Sequence, residues 1–315
     1  MDMLKFEKKY WKTGVTYIAG VDEAGRGPLA GPVVSAAVIF NKIDIIEGIN
    51  DSKKISPKKR EILFHKIIDN SIAYGIGVVH EKEIDEMNIL EATYLSMKKA
   101  IGSLKVSPEL ILIDGPRSNI KHYSVQHIIN GDQLSYSIAA ASILAKVYRD
   151  RIMLEYDKLY PIYFFKNNKG YGTKKHIESI NSNKISPVHR KSFNIVNKNM
   201  PDFDYIYSNY GFSCLAKQIV GSNYIKNNYI ILDQSIEIDN NKNLDLCLKK
   251  HNKILFIKIK TFVQNYSSII IDRKFYEKFI SKYLIEKDIK SKNDFIVISV
   301  LFKKNNKPII KIEEI

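Results

Sequence analysis

The stretch AGVDEAGRGPLAGP, residues 19–32, carries two adjacent carboxylates, Asp22 and Glu23, followed by a turn in which glycines and prolines surround one arginine, Arg26. TYIAGVD before it and GPVVSAAVIF at its end read as strands, so the turn joins two neighbours of one sheet. Acids at a strand end lie where loops build a site against a rigid scaffold. In a regular strand Asp22 and Glu23 point to opposite faces. The Ala24-Gly25 turn is expected to relax that alternation and aim both at one point. Beyond them, Gly25 and Gly27 leave backbone N–H and C=O groups open to close approach.

Two more strand-like segments extend the sheet, and three helix-like segments alternate with them. IAYGIGVVH reads as a third strand, and ELILIDG, almost wholly apolar, as a strand buried on both faces that stops at Asp114. SPKKREILFHKIIDN carries a Ser56-Pro57 helix start. Residues 81–104 are expected to form one long amphipathic helix, acidic at its start and basic at its end. LSYSIAAASILAKVYRDRIMLEYDKLY reads as helical throughout, and its small residues, Ala139 to Ser142 and Ala145, suit close packing on a sheet. The pattern is an α/β fold, a mixed sheet covered by helices.

The texture changes near residue 205, so two domains are expected, 1–204 and 205–315. The second reads as a helix (GFSCLAKQIVGSNYIKNN), three strands (YIILDQSIEI, NLDLCLKK, KILFIKIKTF), a helix (DRKFYEKFISKYLIEK) and two closing strands. The net charge of +15 favours a polyanionic partner, although an AT-rich genome would also inflate lysine. No apolar run approaches the roughly 20 residues that span a bilayer. The charged start lacks a signal-peptide segment, and two cysteines make no disulfide framework. A cytoplasmic monomer without membrane attachment is expected.

Four acids are candidates for one site: Asp22, Glu23, Asp114 and Asp132. Asp before Gly is also ordinary turn chemistry, and Asp132 is suited to cap the helix that follows. Carboxylates converging on one point repel unless cations intervene, and an all-oxygen set suits Mg²⁺ or Mn²⁺. Two such ions about 4 Å apart generate hydroxide and stabilise a leaving oxygen in phosphodiester cleavage. Asp150 is expected to pair with Arg149 or Arg151 at the surface.

In order along residues 16–194, YIAGVDEAGRGPLAGPVVSAAVI, INDSKKIS, LILIDG, GDQLSYSIAAASILAKVYRD, KGYGTKKH and SPVHRKSF resemble bacterial ribonuclease HII. The resemblance implies an RNase H-like mixed sheet flanked by helices and endonucleolytic hydrolysis of RNA in RNA–DNA hybrids. It also implies cleavage 5′ of ribonucleotides embedded in duplex DNA, leaving a 3′-hydroxyl and a 5′-phosphate. Matched residue by residue, Asp22, Glu23, Asp114 and Asp132 are the family's metal-binding catalytic acids. Gly25-Arg26-Gly27 matches the segment that reads the ribose 2′-hydroxyl, and Tyr171 the tyrosine that packs on the neighbouring deoxyribose. Lys53, Lys54 and Lys146 are candidate phosphate contacts. Asn168 departs from the family, which usually has histidine there.

Residues 209–315 more faintly resemble the YraN-like proteins, relatives of restriction endonucleases. Asp245 and Lys260 match that fold's acid and lysine, but Lys258 occupies the second acid's place and Cys214 that of an early glutamate. A lysine repels the ion it should hold. The resemblance implies a smaller α/β restriction-endonuclease-like domain, catalytically impaired. Such a domain is either a basic nucleic-acid platform or a fusion remnant without function. Two rivals stand beside the nuclease reading: a non-catalytic nucleic-acid-binding protein, and a DNA nuclease indifferent to the 2′-hydroxyl.

Overall fold

The computed structural model describes residues 2–42, 45–50, 52, 55–239, 242–267 and 271–313. Its chain packs into two compact units. The first comprises Met1–Leu154, Lys166–Glu178 and Val188–Lys198. It holds a five-stranded sheet of β1 (Ile18–Ala24), β2 (Val33–Phe40), β3 (Ser71–Val79), β4 (Leu110–Asp114) and β5 (Ser124–Ile128). The order is β3-β2-β1-β4-β5. β1 to β3 are antiparallel neighbours, whereas β1, β4 and β5 run parallel, so the sheet is mixed as expected.

Helices cover both faces. α1 (Lys5–Trp11), α2 (Pro57–Asn70), α3 (Glu81–Met87), α4 (Ile89–Gly102), α5 (Gly131–Leu134) and α6 (Tyr136–Leu159) follow in chain order. Alternation along β2 sends Val34, Ala36, Val38 and Phe40 to α2 and α6. Ala37 and Ile39 go to the other face, where they meet Tyr94, Met97 and Ala100 of α4. The alanines of α6 are fully buried, and a Cβ on Gly20 of β1 would lie 2.1 Å from the Ser137 carbonyl carbon. Helix and strand therefore touch backbone to backbone, which fixes α6 beside the end of β1.

Three local expectations change. Residues 81–104 do not form one helix: Asn88, at φ 76°, breaks it into α3 and α4, and its Oδ1 accepts from the Leu90 and Glu91 N–H groups. Asparagine tolerates that left-handed φ and caps well, so it stops one helix and starts the next. β5, SVQHI, escapes a reading by apolar pattern because only Ile128 of its residues is buried. The charged start folds into α1, whose buried Glu7 accepts hydrogen bonds from the Ser135 hydroxyl and from the Ser137 N–H and hydroxyl. A carboxylate there satisfies donors at the N-terminus of α6.

The second unit comprises Glu155–Phe165, Ser179–Pro187 and Asn199–Ile315. It thus takes in more chain than residues 205–315. Within it Tyr160 bonds Ser222, Gln218 donates to the Leu159 carbonyl, and Lys158 donates to that of Ile231. Its sheet, order β10-β9-β8-β7-β6, is made of β6 (Ile230–Asp239), β7 (Lys242–Lys250), β8 (Lys253–Val263), β9 (Lys292–Phe302) and β10 (Ile309–Glu313). Only the β8–β9 pair is parallel among the described strands of this sheet, and the helix Arg273–Glu286 makes the crossover between them. Tyr276, Ile280 and Tyr283 of that helix pack on Leu244, Phe256 and Val297. No helix among the described residues is long and apolar enough to cross a membrane.

Candidate active site

The register of β1 explains how its two acids become available. Pairing with β2 continues through Asp22–Ala36, Glu23–Ser35 and Ala24–Val34, whereas pairing with β4 stops at Val21–Ile113. The acids therefore lie within the strand rather than at a relaxed end, on the stretch whose β4 side has come free. Asp114 follows Ile113 as Asp22 follows Val21, which sets the two at the carboxyl ends of neighbouring parallel strands.

Asp22, Glu23 and Asp114 each have their own donor. Asp22, 5% exposed, accepts from the Glu23 N–H at 2.6 Å and bonds the Ser142 side chain of α6. Asp114 Oδ1 accepts from the Gly131 N–H at 2.6 Å, one residue before Asp132, which is itself buried in α5. Asp132 is the second residue of that helix, whose N-cap is Asn130, so it does not cap it. Glu23 Oε1 meets Arg26 at 3.1 Å, while its Oε2 is buried with no hydrogen-bond partner among the described residues.

Burial, reinforced by the charges of Glu23 and Asp114, pushes the Asp22 carboxyl well above the usual carboxylate range. Burial also raises Glu23, with Arg26 opposing and Asp114 adding to the rise. Asp22, Glu23 and Asp114 are thus within mutual electrostatic reach. Among the described residues no three Asp, Glu, His or Cys side chains are drawn together as a finished ligand cage. Like charges held by separate donors have no reason to close up on one another.

The glycine-rich turn is held from beneath by two fully buried arginines that the motifs did not single out. Arg190 donates to five carbonyls of the turn, those of Gly25, Arg26, Pro28, Gly31 and Pro32. Arg149 donates to those of Ala30, Pro32 and Lys169. Burial, with Arg149 adding, pushes the Arg190 guanidinium down to about 9, which leaves it cationic at neutral pH. Gly25 must be glycine: its φ is +99°, and a Cβ would lie 2.1 Å from Arg149 Nε. Arg149 is therefore not at the surface, and Asp150 pairs with Lys146 at 2.8 Å instead. An arginine in a helix reads as a solvated charge unless the carbonyls awaiting it are visible.

Tyr171 is brought to the turn. A Cβ on Gly27 would be 3.8 Å from its ring, which is exposed on its other side, and Lys146 Nζ lies 5.9 Å from the ring centre. The departure at Asn168 is accommodated locally, since its Oδ1 accepts from the Gly170 N–H at 2.7 Å. Lys53 and Lys54 lie outside the described residues.

A buried histidine pair ties the Tyr171 backbone to His189. His176 Nδ1 donates to the Tyr171 carbonyl at 2.8 Å, which leaves its Nε2 to accept from His189 Nε2 at 3.0 Å. Burial holds His176 below its ordinary 6.5. The unfolded chain therefore takes up a proton first, and stability is lost as pH falls from about 6.5 toward the depressed folded value. The melting temperature is expected to drop between pH 7 and 5, and His176→Asn to flatten that dependence; thermal melts across the range check it.

In the second unit, Lys258 Nζ lies 3.2 Å from Asp245 Oδ2 and also bonds Asn243. The same carboxylate accepts from the Ile259 N–H at 2.7 Å. Asp245 is thus neutralised by an internal cation.

A model of the ribonuclease HII family matches residues 19–196, ending before the second sheet begins. A ribonuclease HII of Clostridioides difficile (strain 630) is 55% identical over 188 residues, 60% of this chain and 74% of that protein. One of Acholeplasma laidlawii (strain PG-8A) is 55% identical over 193 residues, 61% of this chain and 95% of that one. Among solved structures, the ribonuclease H2 from Pyrococcus horikoshii OT3 is similar at a TM-score of 0.52 and 28% identity, over 61% of this chain and all of that one.

Proposed function

The chain belongs to the ribonuclease HII family, a type 2 ribonuclease H endonuclease acting on RNA–DNA hybrids, and from that premise we propose that it also incises duplex DNA 5′ of single embedded ribonucleotides. The observation that carries the reading is the placement of Asp22 and Asp114 at the carboxyl ends of neighbouring strands, with Glu23 beside them, next to a turn whose backbone is exposed at Arg26 and Gly27. A 2′-hydroxyl both donates and accepts a hydrogen bond. Arg190 already takes the Gly25 and Arg26 carbonyls, so at Gly25-Arg26-Gly27 the exposed Gly27 would supply the accepting C=O and the N–H groups of the segment the donor. Tyr171, flanking Gly27, then offers a flat surface to the next sugar, and Lys146 a positive charge to the backbone.

The donor set fits a hard divalent cation, Mg²⁺ or Mn²⁺. Asp22, Glu23, Asp114 and Asp132 present only carboxylate oxygen, and the buried Glu23 Oε2 has no hydrogen-bond partner among the described residues. Bound there, such ions lower the pKa of water and offset charge on the leaving oxygen. The acids would hold them, and Ser142 and the Gly131 N–H keep Asp22 and Asp114 oriented. We place this activity in a catalytic domain ending near residue 204, in the cytoplasm. The Lys258–Asp245 contact supports a second domain without hydrolysis of its own.

The test is a DNA duplex carrying one ribonucleotide, incubated with Mg²⁺ or Mn²⁺. Cutting on its 5′ side to give a 3′-hydroxyl and a 5′-phosphate, abolished by chelation, is the expected result. No cutting with either metal, or equal cutting of an all-DNA duplex, refutes the proposal.

A further inference from the structure

We propose that Arg149 is the positioning residue that couples the two sugar readers, one buried guanidinium setting the spacing between the Gly25–Gly27 backbone and the Tyr171 ring. The inference deepens the function proposed above and rests on its assignment of both readers. Arg149 sits on α6 with no exposure, and among the described residues its guanidinium bonds main-chain carbonyls. Nε bonds Pro32 at 2.9 Å and Nη2 bonds Ala30 at 3.1 Å, both in the glycine-rich turn. Nη1 bonds Lys169 at 2.9 Å, two residues before Tyr171. The guanidinium carbon lies 5.8 Å from the centre of the Tyr171 ring itself.

The surrounding chain has been shaped to admit that side chain. Gly25 has positive φ, and a Cβ there would lie 2.1 Å from Arg149 Nε; at Gly31, also of positive φ, a Cβ would instead press on Met153 Sδ at 2.3 Å and only touch Arg149 Nη2 at 3.4 Å. Gly170 also has positive φ, and a Cβ there would lie 2.4 Å from the Ala30 carbonyl oxygen that Arg149 binds. The Leu29 N–H donates to the Gly170 carbonyl at 2.8 Å, so the two segments are joined at the main chain as well. Arg190 differs in reach: its bonds go to the turn alone. Glu81, 2% exposed on α3, supplies a counter-charge that both guanidinium groups feel. A planar fork with fixed donor directions suits this bridge, whereas a lysine ammonium reaches fewer carbonyls at once.

Coupling and mere structural support make different predictions. A substrate with a DNA–RNA junction uses both readers, while the interior of a uniform RNA–DNA hybrid presents no deoxyribose to Tyr171. The quantity to measure is the ratio of kcat/KM on a single-ribonucleotide duplex to that on a uniform hybrid. The full chain is compared with its Arg149→Lys, Arg149→Met, Tyr171→Ala and Arg149→Lys/Tyr171→Ala variants. Loss of the bridge is expected to lower the ratio by about ten- to a hundredfold, the scale on which a remote misplacement reaches a reacting group. In the double variant the ratio falls no further than in Tyr171→Ala alone.

A proportional loss on both substrates, or independent effects of the two substitutions, overturns the inference. Should Arg149→Met not fold, the Arg149→Lys cycle decides by itself. An unchanged ratio in Tyr171→Ala instead removes the reading of Tyr171 on which coupling depends. A lowered ratio in Tyr171→Ala with none in the Arg149 variants leaves that reading intact and sinks only the bridge.

Discussion

Asp22→Asn is expected to lower cleavage of an RNA–DNA hybrid by about a thousandfold or more, since replacing mere supporting partners of metal ligands already costs 10–100-fold. The metal-free variant is expected to melt no lower than the parent chain. These opposite outcomes have one cause. Asp22 is buried beside Glu23 and Asp114, and a third negative charge in that space raises the free energy of the folded state when no cation is present. An amide keeps the shape and the hydrogen bond from the Glu23 N–H while removing the repulsion. Duplex binding is expected to persist, because phosphate contacts and the backbone reader are untouched. Thermal melts in chelator, a binding titration and a cleavage assay separate the three effects. Retained activity, or a sharp loss of stability in chelator, contradicts the assignment of Asp22.

Arg190→Met is expected to destabilise the first unit by about 3–5 kcal/mol, the range for breaking a buried charged network by removing one partner. That corresponds to a fall of roughly 10 °C in melting temperature for a unit of this size. Methionine fills the volume but leaves the Gly25, Arg26, Pro28 and Gly31 carbonyls without their side-chain donor and that of Pro32 with Arg149 alone. With its carbonyls held by Arg190, and the Leu29 and Gly31 N–H groups donating to Gly170 and Val188, the turn leaves the N–H groups of residues 25–27 as those a backbone reader would use. Arg190→Lys restores the charge without the fork and is expected to recover less than half of the loss. Scanning calorimetry on the full chain measures both, and an unchanged transition in Arg190→Met shows that the turn supports itself.

The sequence discloses the acids and the glycines because their chemistry is local. A carboxylate ending an apolar run and a glycine beside an arginine are recognisable without coordinates. Strand pairing was legible where alternation or a wholly apolar run announced it, as in β2 and β4. It failed for β5, whose membership depends on β4 lying beside it rather than on its own side chains. The break at Asn88 hides because asparagine is tolerated inside a helix and its left-handed φ is not written in the pattern. The two arginines illustrate the larger difficulty. Arg149 and Arg190 look like surface charge until carbonyls from about 120 and 160 positions earlier converge on them, a long-range arrangement with no sequence period. Lys258 beside Asp245 is the opposite case, since adjacent strands place the two together and the missing acid had already suggested the loss.

The most direct test of the central arrangement is anomalous scattering from Mn²⁺ in crystals of the 315-residue chain. The predicted result is a peak bound by the Asp22 and Asp114 carboxylates, beside the Gly25–Gly27 turn, that vanishes in Asp22→Asn. Saturating Mn²⁺ with no peak at these acids, or with the peak only at Asp245, contradicts it.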